Sequence, residues 1–309
     1  SSMTRNDLGT DTWRFTLQSD GNDGTSEFLF RDSNSNYDNK WARGASVTLG
    51  SKTTWYAGGN NGNFSEFDGF WSSSLTDSVL RGKPDNQSVD YSTRIQGVNE
   101  IFEVTTKPLI FDADNGGRIE HLPYLIKSLE RIGVSAVVLE DKIGLKRNSL
   151  FQNQKKTKQD AIKSFCKKIK ISKKSKVTED LMIVARIESL ILKKGMHDAL
   201  KRAEAYSSAG ADAILIHSKE KTPSEIFQFA KKFQKSKYFK PMIAVPSTFS
   251  KTKEKDLIKN GFKIVIYANH LLRASYPAML KTANTILAKQ RGIEADKTIT
   301  PIKEILELI

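Results

Sequence analysis

"PLIFDADNGGRIEHLPYLIKSLERIGVSAVVLED", Pro108–Asp141, holds the pattern on which the fold turns. Two apolar runs, "PLIFDAD" and "SAVVLED", flank a segment in which Ile119, Leu122, Leu125, Ile126 and Leu129 share one stripe. Strands that are apolar throughout belong in a parallel sheet covered on both faces. The stripe gives the covering helix its buried side, and Gly133 supplies the stop. The unit reads as strand, helix, strand.

The pattern repeats outward in both directions. "DGFWSSS" (Asp68–Ser74) precedes it, and "LMIVARI" (Leu181–Ile187), "ADAILIH" (Ala211–His217), "PMIAVP" (Pro241–Pro246) and "FKIVIYA" (Phe262–Ala268) follow. Seven strands alternating with amphipathic helices predict an α/β fold, a (β/α)8 TIM-type barrel over residues 66–309. The first unit is atypical. Residues 1–65 are rich in Gly, Asn, Ser, Asp and Thr, and their short alternating runs "WRFTL", "EFLF" and "ASVTLG" predict a small antiparallel β-rich segment. Its tryptophans can stack on sugars or fill a small core.

Composition narrows the class further. One cysteine, Cys166, excludes an internal disulfide framework, and it falls on a helix face with Ile162, Phe165 and Ile169. No apolar run spans a bilayer and no signal-peptide pattern opens the sequence, so a cytoplasmic protein without membrane contact is expected. The net charge is +14, with lysines gathered in stretches such as "KKIKISKKSK" (Lys167–Lys176). No RNA- or DNA-binding motif accompanies them, and nucleic acid is not an expected partner.

In such a barrel the chemistry sits at the C-terminal strand ends. Asp112 and Asp114 stand two apart, which in a strand points both to one face, and Glu140 ends the next strand. Three carboxylates near one point need a cation, and hard oxygen donors without His or Cys suit Mg2+. Arg186 and His217 end two further strands and suit a carboxylate or phosphate. After Glu140 the stretch "DKIGLKRNSLF" (Asp141–Phe151) is a long polar loop over the same rim. Its Lys146, Asn148 and Ser149 can donate to phosphate when it closes, so it reads as a gating lid.

"EDKIGLKRNS" (Glu140–Ser149) resembles the EDKxxxxxNS signature of the phosphoenolpyruvate mutase family, in the isocitrate lyase/PEP mutase superfamily. "WSSSLTDS", "GKPD", "DADNGG", "ARIESLI", "GADAILIHSKEK" and "YANHLLRA" fall in the family's order. The likeness runs from about Glu66 to Ile309. It implies Mg2+-dependent interconversion of phosphoenolpyruvate and phosphonopyruvate, making a carbon–phosphorus bond for phosphonate biosynthesis. By resemblance, Asp112 binds the metal, while Asp85, Asp114 and Glu140 hold its water shell. Arg186 and His217 hold substrate anionic groups, and Ser73, Ser74 and Leu75 cradle the substrate. Trp71 walls the pocket, and Lys146, Asn148 and Ser149 belong to the lid. The resemblance further implies a homodimer or homotetramer exchanging its last barrel helix.

Alternatives stay open at this point. The superfamily's carbon–carbon lyases use a cysteine in the equivalent loop, and this loop has none. Phosphonopyruvate hydrolase shares the metal site and is the nearest competitor. The family's first strand, an "EAHNG"-like segment, is not found in residues 1–65. A second class of reading is therefore a catalytically impaired barrel whose N-terminal module binds a glycan or protein.

Overall fold

The computed structural model describes residues 3–5, 13–15, 47–49, 69–149 and 157–307. In chain order the first strands are β1 (Met3–Arg5), β2 (Trp13–Phe15), β3 (Val47–Leu49), β4 (Phe70–Ser72), β5 (Leu109–Asp112) and β6 (Ala136–Glu140). They are followed by β7 (Lys142–Ile143), β8 (Lys158–Gln159), β9 (Met182–Ile187), β10 (Ala213–Ile216), β11 (Met242–Ala244) and β12 (Phe262–Val265). The intervening helices are α1 (Ser74–Leu80), α2 (Tyr91–Phe102), α3 (Leu122–Arg131), α4 (Ile162–Ser175), α5 (Gly195–Ser208), α6 (Ser224–Phe233), α7 (Glu254–Lys259) and α8 (His270–Lys289).

All seven expected strands form, and they pair in parallel in chain order, β4-β5-β6-β9-β10-β11-β12. An eighth, β3, lies outside β4, with Val47, Thr48 and Leu49 opposite Phe70, Trp71 and Ser72. That corrects the antiparallel role expected for "ASVTLG" and carries the sheet back to residue 47, ahead of the boundary placed at residue 66. Three β-branched or apolar residues suit a strand but carry no information about its direction. β1 and β2 do pair antiparallel, as "WRFTL" suggested. The rest of residues 1–65, with the expected strand "EFLF" and the aromatic residues weighed for a glycan or a small core, lies outside the described residues.

Side-chain alternation divides the core in two. Leu109, Phe111, Val137, Leu139, Ile183, Ala185, Ile214 and Ile216 point outward, into one cluster with the helix stripes. On α3 the stripe is Leu122, Leu125, Ile126 and Leu129, all buried as its spacing requires. The opposite face gathers Trp71, Ile110, Val138, Val184, Leu215, Ile243 and Ile266 into a second, inner cluster. Residues from β4 through β12 can meet there only because the sheet curls into a barrel wall. Among the described residues no ladder joins β12 to β3.

Candidate active site

The inner face continues upward into the site by simple period-two counting. After Ile110 comes Asp112, after Val138 Glu140, after Val184 Arg186, and after Leu215 His217. Register sets Glu140 directly beside Arg186 across β6 and β9. These side chains are therefore the top layer of the barrel interior, and they surround a cavity of ≈ 70 Å3. Trp71, Ser73, Leu75, Asp85, Asp112, Glu140, Lys146, Asn148, Ser149, Arg186 and His217 all line it.

Two expected residues stand behind that lining. Ser74 opens α1 and donates from its Oγ to Asp85 Oδ1 at 2.8 Å, so it orients an acid instead of facing the cavity. Asp114 lies past the end of β5 with a left-handed backbone, φ +50°. The strand alternation used to pair it with Asp112 stops before it. Gly116 then turns the chain at φ +77°, where a Cβ would meet Leu139 Cδ2 at 3.0 Å.

The lid lies down on this rim. Its foot is the antiparallel pair β7–β8, and the described part of the loop runs to Ser149, with Leu150 and Phe151 outside the described residues. Leu145 and Arg147 face solvent, while Lys146 and Ser149 are buried. Lys146 Nζ stands 2.5 Å from Asp114 Oδ1, 3.1 Å from Asp85 Oδ1 and 3.6 Å from Asp112 Oδ2. Expected as a phosphate donor, it is paired here with carboxylates, because the docked lid brings an ammonium among buried acids. Asn148 Nδ2 donates to Asp85 Oδ2 at 3.3 Å. Ser149 Oγ donates to Glu188 Oε2 at 2.6 Å and accepts from Arg186 Nη2 at 2.8 Å.

Charge is finely divided among these groups. Burial works against ionising Asp112, but Lys146, Arg94 and Arg186 outweigh it and hold the carboxyl below its ordinary range. Burial and the neighbouring Asp112 charge push Asp114 the other way, upward. Burial, reinforced by Glu188, raises Glu140 to about 7 against Lys142 and Arg186. Glu188 falls well below its usual range, since Arg186 and Lys142 overcome its burial. Burial and the Arg186 charge hold His217 neutral. Its Nδ1 is 3.0 Å from Arg186 Nη2, closer than the 3.5 Å to Glu188 Oε1. A guanidinium only donates, so Nδ1 accepts and the ring proton sits on Nε2.

Several residues of the site were not assigned from sequence. Glu188 was legible only as a strand-end acid, and it proves to be the fully buried partner of Arg186 at 2.7 Å. Lys142 was part of a motif without a role. Arg94 is 1 % exposed and reaches Asp77 Oδ2 at 2.9 Å, Ser72 O at 3.3 Å and Asp114 Oδ2 at 3.6 Å, over the Phe111 ring. It occupies the position of α2 that shares a face with Val98 and Ile101. An arginine on an apolar stripe was the available signal. Leu215, Val245, Ser247, Ala268 and Asn269 complete the cavity.

Among the described residues no three His, Cys, Asp or Glu side chains form a ready metal cage. The donor chemistry nonetheless fits Mg2+, which is usually held through one or two carboxylates and keeps several waters. Asp85, Asp112 and Glu140 all present hard oxygens to one small cavity. Cys166 lies on α4, half-buried, with Sγ 3.5 Å from Ala205 O, and is not part of this constellation.

A family model described as phosphoenolpyruvate phosphomutase matches residues 47–287. The phosphoenolpyruvate phosphomutase of Tetrahymena pyriformis is 36 % identical over 243 residues, 78 % of this chain and 80 % of that one. The phosphonopyruvate hydrolase of Variovorax sp. is 35 % identical over 245 residues, 78 % and 83 % of the two chains. A crystal structure of a phosphonopyruvate hydrolase in complex with oxalate and Mg2+ superimposes with a TM-score of 0.75 at 30 % identity, covering 85 % of this chain and 88 % of that one.

Proposed function

The chain belongs to the phosphoenolpyruvate phosphomutase family, and on that premise we propose that it interconverts phosphoenolpyruvate and phosphonopyruvate. The observation that carries this reading is the docked lid, with Asn148 on Asp85 and Ser149 between Glu188 and Arg186. In the reaction the phosphoryl group leaves the enol oxygen and is recaptured by the methylene carbon. A loose, metaphosphate-like group is readily taken by water, so a closed, small cavity favours the carbon.

This chain's residues supply positioning and charge. Arg186 offers a fixed guanidinium to the substrate's carboxylate or phosphoryl oxygens. Neutral His217 donates from Nε2. Trp71, Ser73 and Leu75 form the substrate wall. Asp112 would hold Mg2+ directly, with Asp85, Asp114 and Glu140 on its waters, and the ion would supply neutralising charge for substrate oxygens. The metal in the hydrolase structure and the hard-oxygen rim both support it.

A homo-oligomer completes the proposal. None of the residues of α8 is buried, and Tyr276, Met279 and Leu287 are more than 60 % exposed. A 20-residue helix with such a face suits exchange with a second copy. No helix among the described residues is long and apolar enough to cross a membrane.

Phosphorus NMR of the full chain with phosphonopyruvate and Mg2+ tests the activity. A phosphoenolpyruvate signal that is lost in Asp112→Ala establishes the mutase. Inorganic phosphate alone transfers the chain to the hydrolase reading, which the near-equal identity of the two relatives keeps in view.

A further inference from the structure

Lys142 is a lysine with an unusual division of its donors. It stands at the foot of the lid in β7, with a side chain 4 % exposed. Its Nζ is 3.3 Å from Glu140 Oε2 and 3.5 Å from Glu188 Oε2, acids on two adjacent strand ends. Its hydrogen bonds, however, go to Ser149 Oγ at 2.9 Å and to the Arg147 carbonyl at 3.0 Å. A buried ammonium is stable only when hydrogen bonds satisfy the protons that its carboxylate partners do not take. Here the acids at the strand ends hold the lysine by charge, and its hydrogen bonds are made to the loop itself. If the lid lifts, a buried cation loses two acceptors at once, and closure becomes the favourable state.

We propose that Lys142 is the positioning residue that latches the lid, and that it thereby sets how the phosphoryl group is partitioned between substrate and water. The inference rests on the function proposed above. From phosphonopyruvate, the C–P bond breaks and its electron pair remains as the enolate of pyruvate. The phosphoryl group then passes to the enolate oxygen, giving phosphoenolpyruvate. If water enters, its oxygen takes the phosphoryl group instead, and carbon takes a proton, giving pyruvate and inorganic phosphate.

Two readouts test the latch, on the full chain with Mg2+. The first is the ratio of inorganic phosphate to phosphoenolpyruvate, followed by phosphorus NMR in wild type, Lys142→Met and Lys142→Arg. Loss of two bonds from a charged donor is expected to raise the ratio in Lys142→Met by on the order of tenfold, with partial recovery in Lys142→Arg. A fall in turnover with the ratio unchanged overturns the proposal, since a residue that merely supports the fold lowers both products together.

The second readout needs no activity. Trypsin cleavage after Lys146 or Arg147, identified by mass, is expected to be several-fold faster in Lys142→Met. Equal rates overturn the latch. Should wild type make neither product, the proposed function falls while the cleavage rates still judge the lid. Should Lys142→Met fail to fold, Ser149→Ala keeps every buried charge, removes the hydroxyl end of the latch, and is read by the same two measurements.

Discussion

On one wall of the cavity, Asp85, Asp112, Glu140 and Arg186 crowd beneath Lys146 of the lid; on the other, Leu215, Val245, Ser247, Ala268 and Asn269 carry no charge. Both walls are made chiefly from residues at or just beyond the ends of parallel strands, with Asp85 added to the first from the loop between α1 and α2. The difference lies in what the lid can reach. The charged contacts of Lys146 and Ser149, to Asp85, Asp112, Asp114, Glu188 and Arg186, fall on or behind the first wall. In the proposed reaction, a phosphoryl group in transit would spread charge over its oxygens and be met on that side. The flat carbon frame left behind in that reaction would need only shape, which an uncharged wall can supply.

Breaking the charged wall has the largest expected effect. Lys146→Ala leaves Asp85, Asp112 and Asp114 facing one another without their ammonium, and the loss of one partner of a buried charge cluster costs about 3–5 kcal/mol. Urea unfolding checks this, and added Mg2+ should restore much of the loss. An unchanged midpoint without Mg2+ would show that Lys146 does not hold these acids.

The neutral wall should respond differently. Val245→Ala removes two buried methyl groups, and about 1–2 kcal/mol of stability with them, while turnover changes by less than about tenfold. A larger kinetic effect than that of Lys146→Ala would erase the distinction between the walls.

The smallest effect is electrostatic and concerns His217, where the walls meet. Burial and Arg186 hold its folded pKa below the value near 6.5 that the unfolded chain shows. The unfolded state therefore takes up the proton first, so stability is full above about pH 6.5 and is lost as pH falls below it. The loss is about 1.4 kcal/mol per pH unit at most. His217→Gln lacks this component. Urea midpoints at pH 7.5 and 5.5 should differ less in the variant than in wild type, and equal differences would contradict the assignment.

These walls were not equally legible in the sequence. The charged one was readable because acids and arginine interrupt apolar strands at their ends, as Asp112, Glu140 and Arg186 do. Val245 and Ala268 merely continue an apolar run, and nothing in such a run says where core ends and pocket begins. Seven strands were legible because each is buried on both faces. Val47–Leu49 was legible as a strand but not as a member of this sheet, because three residues carry no direction. Lys142 and Glu188 escaped assignment for another reason. Their roles are relational, each defined by partners on other strands or on the lid, and only the folded chain brings those partners together. Asp114 was placed with the right neighbours on the wrong grounds, since the backbone turns out of the strand before reaching it.

The sheet adds its strands from β4 to β12 in chain order, and this has a consequence for synthesis. Each strand emerging from the ribosome finds its predecessor already available, so assembly proceeds by local steps. The lid, however, precedes its catch: residues 142–149 are translated before Arg186 and Glu188. A nascent chain ending before Met182 contains Asp112, Asp114 and Glu140 and a lid with nothing on β9 to close against. Lys146 and Asn148 find their acids already made, whereas the partners of Ser149 arrive only with the strand beyond the loop.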